Sequence, residues 1–193
     1  MASKISIRRA TFEFLSIVVA VVLAMALTEW RQDYLNRKLA QQSLKNIIEE
    51  VSENRRELMN DSSQVASDIK TLDNWLALNV NDTESTEGLG VGFSFSFLGQ
   101  SALEVAKINN SLTYLPNEVN MEIAEIYAAQ EFYSENAVKL FDILGNLGPS
   151  DSFRNFEEFK TRVRQLRFHM DLVNNTMYAY LRVSQGFLEK QKD

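Results

Sequence analysis

An all-α chain, with an N-terminal transmembrane helix continuing into an antiparallel bundle of long, coiled-coil-like helices, is predicted by three observations. Seven Gly and two Pro in 193 residues leave few helix breakers. Apolar residues return at heptad spacing through most of the chain after Leu44. A charge-free apolar run, Phe14 to Leu27, precedes the first heptad. The organisation read from these is a tail and anchor over 1–30, then a helical bundle domain over 31–193. An irregular Gly/Phe loop near 80–100 interrupts the second part.

The anchor takes Phe14, Leu15, Ile17, Val18, Val19, Val21, Val22 and Leu23 as its lipid-facing residues, with Trp30 as the interfacial aromatic. Fourteen residues make roughly 21 Å of helix, which is short; the span from Thr11 to Trp30 makes roughly 30 Å, a full hydrocarbon thickness. The same residues also fit a cleaved secretory signal, with Ala24-Met25-Ala26 as the small-x-small site and cleavage after Ala26. No Gly, Pro or turn signal separates Leu27 from Thr28-Glu29-Trp30-Arg31, which favours a retained signal anchor. Positive residues nearly balance across the span: Lys4, Arg8 and Arg9 before it, Arg31, Arg37 and Lys38 after it. A short basic tail ahead of an apolar run is expected to leave the C-terminal domain outside the cytoplasm. Ser16, Ala20, Ala24 and Thr28 recur every four residues, a stripe of small side chains along which two membrane helices can approach.

Beyond the anchor, Leu44, Val51, Leu58, Val65 and Leu72 mark one seam, interrupted by Asn54, Asp61 and Asp68. This helix is expected to run to about Asn79, with a break near Asn60-Asp61-Ser62-Ser63. Gly88, Gly90 and Gly92 then lead into Phe93, Phe95 and Phe97, an alternation that suits extended chain better than helix. A short helix is expected from Gln100 or Ser101 to about Leu112, stopped before Pro116, where it covers one end of the bundle or fills a fourth position. The next seam is Val119, Ile123, Ile126, Gln130, Tyr133, Ala137, Leu140 and Leu144, closed by Gly145 as a C-cap. Ser150-Asp151-Ser152 offers caps for a last helix whose seam runs from Phe156 to Phe187.

Little in the chain can carry chemistry. No Cys and a single His remove disulfides, thiolate metal sites, cysteine nucleophiles and any site needing two imidazoles. A net charge of -6 argues against a nucleic-acid partner. The glycines of the GLGVG stretch have the wrong spacing for a phosphate loop or dinucleotide fingerprint. Glu49, Glu53, Glu57, Glu122, Glu125, Glu131 and Glu135 read as solvated helix faces, and so do Arg162, Arg164 and Arg167. His169 reads as a partly covered surface residue. No catalytic, metal or cofactor site is expected.

The Phe93, Phe95, Phe97 and Leu98 cluster reads first as a plug on the bundle and second as a docking loop for a partner or the bilayer.

Two segments resemble a loose group of uncharacterised bacterial single-pass membrane proteins with a long-helical domain. One is the E-x-x-x-N-x-x-x-L pattern of Glu50, Asn54 and Leu58, after a Trp-Arg exit at Trp30-Arg31. The other is an A-x-x-x-G-x-L-x-x-L-P stretch matched by Ala106, Leu112, Leu115 and Pro116, with Asn110 where the pattern has Gly. The resemblance implies a bacterial envelope location and supplies no active site; with the anchor, the expected location is the bacterial inner membrane. The expectation is therefore a non-catalytic, membrane-anchored scaffold or accessory subunit whose partners are the lipid bilayer and another protein or further copies of itself. The alternative is an envelope sensory or small-ligand-binding module, with Gln130, Asn174, Asn175 and Tyr180 as polar contacts inside the bundle.

Overall fold

The computed structural model describes residues 7–80, 89, 92, 95–147 and 156–191, with side chains from Thr11 onward. Helix α1 spans Ile7–Leu78, α2 Ser101–Ile108, α3 Asn117–Gly145 and α4 Phe156–Lys190, and a 3-10 turn covers Ser111–Tyr114. Among the described residues there is no β-strand. The chain is all-α, and a single helix joins the apolar N-terminal segment to the bundle.

Cross-helix contacts fix the directions. Arg167 reaches Asp73, Lys160 reaches the Asn79 carbonyl and Arg55 reaches Gln185, so α4 runs antiparallel to α1. Lys190 meets Glu122, which makes α3 antiparallel to α4 and parallel to α1. The segment from 95 through the 3-10 turn descends beside α1: Asn54 holds Gly99, Glu50 holds Ser101 and Asn36 holds Tyr114. This strap takes the fourth place in the bundle, the second of the two positions expected for the short helix. It lies between α1 and α3 on the side opposite α4.

The heptad seams supply the core. Ile47, Val51, Leu58, Val65, Leu72 and Trp75 of α1 are buried against Ile126, Tyr133 and Leu140 of α3 and Val163, Met170, Met177 and Tyr180 of α4. Each such side chain contributes about 1.5–3 kcal/mol of transfer free energy. Trp75 stands edge-on to both Phe156 and Phe159, at 5.9 and 5.4 Å between ring centroids. Buried Lys160 crosses over to the open C-terminal carbonyls of α1, donating to Asn79 and Val80, and its charge is met by Glu157.

Four local expectations change. The break near Asn60 to Ser63 is absent, because α1 continues unbroken through these residues and Ser62 Oγ folds back on the Met59 carbonyl at 2.8 Å. The short helix ends at Ile108 rather than Leu112. Asn110 takes φ 55° and ψ 25°, the left-handed region, and the chain restarts as a 3-10 turn. That conformation suits Gly best and Asn next, which explains physically why Asn can stand at this position of the pattern. Gly145 is the last residue of α3 and not its cap; Asn146 closes the helix at φ −95°, its side-chain amide donating to the Asp142 carbonyl at 2.7 Å. Asn54 and Asp68 do not gap the α1 seam, since both are buried in it. Ser150, Asp151, Ser152 and Phe93 lie outside the described residues.

Candidate interaction groove

A polar lock holds the strap. Asn54 grips Gly99 from both sides, its Nδ2 donating to the carbonyl at 2.8 Å and its Oδ1 accepting from the amide at 2.9 Å. Gln130, opposite on α3, donates to the same carbonyl at 2.8 Å and accepts from Asn54 at 3.2 Å. One turn earlier on α1, Glu50 Oε2 accepts from Ser101 Oγ and from the Ala102 amide, both at 2.9 Å. Gln100, at the N-cap of α2, makes no side-chain capping bond, so Glu50 serves as the cap from across the bundle. Its other oxygen accepts from the Tyr127 hydroxyl at 2.5 Å.

Burial, with the adjacent Glu50 carboxylate, pushes the Tyr127 hydroxyl well above the usual phenol range. Burial likewise raises Tyr133 and Tyr180, so these phenols stay protonated at physiological pH. Tyr133 donates to the Ser96 carbonyl at 3.4 Å. Strap backbone that has no helix of its own is satisfied by side chains of its neighbours.

Beside the lock, strap and α3 form a groove of about 1010 Å³. Leu98, Leu103 and Leu112 make one wall; Ile123, Tyr127 and Val138 make the other. Small side chains of α3, Ala124, Ala128 and Ser134, line it as well. The rim is charged: Glu104 and Lys107 on the strap, Glu131, Glu135 and Lys139 on α3. Glu104 and Lys107 pair with each other at 2.9 Å, whereas among the described residues Glu131 and Glu135 enter no ion pair. A second hollow of about 780 Å³ lies under Tyr114, against Ala24, Thr28, Gln32 and Asn36 of α1. Asn36 donates to the Tyr114 hydroxyl at 2.7 Å there.

The residues singled out in the sequence fall in three places. Phe14, Leu15, Ile17, Val18, Val19, Val21, Val22, Leu23 and Trp30 are all exposed, and the apolar stretch of α1 is long and apolar enough to cross a membrane. Ser16 and Thr28 spend their hydroxyls on the carbonyls of Glu13 and Ala24, both at 2.8 Å, inside the same exposed helix. Phe95 is half-buried and stands edge-on to Phe141 at 5.4 Å. Phe97, 72% exposed, stacks on the same ring at 5.9 Å. Gln130 and Tyr180 are buried, Asn174 is half-buried and Asn175 is exposed, and of these four Gln130 lines the groove. His169 is half-covered, its Nδ1 2.9 Å from the Gln165 carbonyl.

Among the described residues no cluster of His, Asp and Glu is arranged to hold a metal ion. No family model, no curated protein and no solved structure matches the chain.

Sequence reasoning missed the groove. Its signal was present as Ala124 and Ala128, four apart on a helix otherwise crowded with carboxylates. In the sequence Glu50 stands out as part of a pattern, and Asn54 as part of that pattern and as an interruption of the α1 seam. Their place in the lock gives that pattern a physical meaning: cap one strap helix, grip one strap peptide, and bury Leu58 beneath.

Proposed function

We propose that this chain is a single-pass membrane protein whose rigid helical domain is an interaction or accessory subunit, and that it performs no catalysis. One observation carries the reading. From Thr11 to Trp30 α1 is mostly apolar and exposed throughout, while the rest of the same unbroken helix contributes to the core of the bundle. Burying that apolar surface requires lipid or another apolar surface. From Trp30 to Leu78 the helix rises about 72 Å, so the domain stands off the bilayer as a post whose base is fixed to the anchor. The hydroxyls of Ser16 and Thr28, already bonded within the helix, suit a hydrocarbon setting. The resemblance drawn from the sequence implies a bacterial envelope, and the short basic tail ahead of the apolar run favours an inner-membrane anchor with the domain on the periplasmic side.

Single cysteines test this directly, because the chain has none of its own. With Ser52→Cys in the exposed face of α1, the full chain is expected to stay in membranes after alkaline carbonate extraction and to keep its full mass. The thiol is expected to react with an impermeant maleimide added to intact cells or spheroplasts. A soluble chain lacking its first 26 residues overturns the anchor, and labelling only after permeabilisation overturns the orientation.

A further inference from the structure

We propose that the groove between the strap and α3 receives a basic amphipathic helix of a partner protein, an inference that rests on the interaction-subunit reading and gives the partner its chemistry. Shape argues for a helix. The groove follows α3 from Asn120 to Lys139, about 28 Å or five turns, long enough for one helix, and Ala124, Ala128 and Ser134 line it there with small side chains. The apolar walls of Leu98, Leu103, Ile123 and Val138 suit side chains at i, i+3, i+4 and i+7 of the incoming helix.

Charge argues for a basic one. Helix α3 carries six carboxylates, Glu118, Glu122, Glu125, Glu131, Glu135 and Asp142, against the single Lys139. Neither α1 nor α4 has such an imbalance; α4 carries more basic than acidic residues. The strap side is neutral through its Glu104–Lys107 pair, and on the α3 side Glu131 and Glu135 face the single Lys139, so the lining carries one net negative charge. Of the other carboxylates of α3, Glu122 is already paired with Lys190. Lys or Arg flanking the apolar stripe of the partner would meet Glu131 and Glu135 and fix its register.

The test is site-specific photocrosslinking in the full chain, in membranes of cells that make the protein. p-Benzoylphenylalanine replaces Ala128 in the groove, Phe97 on the strap or Ser67 on the exposed face of α1. An adduct at position 128, mapped by mass spectrometry to a segment with helical apolar spacing and flanking Lys or Arg, is the expected result. Glu131→Lys with Glu135→Lys is expected to lower that adduct roughly fivefold or more with the melting temperature unchanged. An adduct at 128 to lipid, to a second copy of the chain or to an acidic segment overturns the proposal. So does a yield indifferent to the charge reversal. Protein adducts at 67 or 97 alone overturn the groove but leave an interaction subunit standing; no protein adduct at any of the three positions overturns both.

Discussion

The bundle closes its two halves with different chemistry. Near the top, where α1 ends, closure is aromatic: Trp75 meets Phe156 and Phe159 edge-on, and Lys160 both caps α1 and lies over the Phe156 ring. Nearer the anchor, the strap stands in for a helix, and closure is polar: Glu50, Asn54 and Gln130 hold strap backbone through bonds of 2.8 to 2.9 Å. A helix satisfies its own peptide groups and asks only for apolar cover. A strap cannot, so its neighbours must bring donors and acceptors into the core.

The largest effect is expected from Trp75→Ala, which removes a buried aromatic and both edge contacts, at about 4 kcal/mol. Denaturant unfolding of the full chain in micelles measures the cost, and hydrogen exchange shows where it falls. Protection is expected to drop at the end of α1 and the start of α4, with the Gly99 and Ala102 amides retaining theirs. Equal loss at Gly99 would mean that the halves open as one unit and that the contrast is chemical only.

Asn54→Leu attacks the other half and is expected to cost about 3 kcal/mol, since it strips the partner from the Gly99 N–H and from Gln130 Oε1 and leaves the Gly99 carbonyl to Gln130 alone. Here the exchange pattern should reverse, with the strap amides exposed and the Trp75 end protected. Glu50→Gln keeps an acceptor for the Ala102 amide but loses the charge at the start of α2, for about 1 kcal/mol. If Asn54→Leu proves as mild as Glu50→Gln, the strap is held by its apolar contacts and the lock is incidental.

Much of this was legible before any coordinates, and the reason is periodicity. The seams of α3 and α4 appear as written because a heptad records which face is buried. The strap was opaque because its partners lie 31 to 78 residues away, beyond any local pattern. Asn54 illustrates the failure: along α1 it looks like a gap in an apolar seam, and only Gly99 across the bundle makes it a fit. The uninterrupted passage through Asn60 to Ser63 was hidden for the opposite reason, since weak local propensity there is overridden by Leu58 and Val65 packed on either side. The groove went unread because exposed Ala and Glu on a helix carry no period of their own.

Asp68 tests where the two halves meet, and its expected effect is the smallest. It is buried on the α1 seam between Asn54 and Trp75; Oδ1 accepts from Gln64 at 2.9 Å, while Oδ2 has no hydrogen-bond partner. Desolvation outweighs the Gln64 bond and holds the carboxyl above its ordinary pKa. A carboxyl with a raised folded-state pKa keeps its proton longer in the native chain than in the unfolded one. Its contribution therefore falls as pH rises from the unfolded value through the raised one, and stays low above that. Asp68→Asn removes this penalty and keeps an acceptor for Gln64, so it is expected to raise the melting temperature at pH 7 by about 1–3 °C and to flatten the dependence between pH 4 and 7. Parallel pH profiles for the two chains would show that water or a nearby donor already compensates the charge. A stabilised variant would instead mark Asp68 as a flaw kept in the seam between an aromatic half and a polar one, where neither kind of packing satisfies a lone carboxylate oxygen.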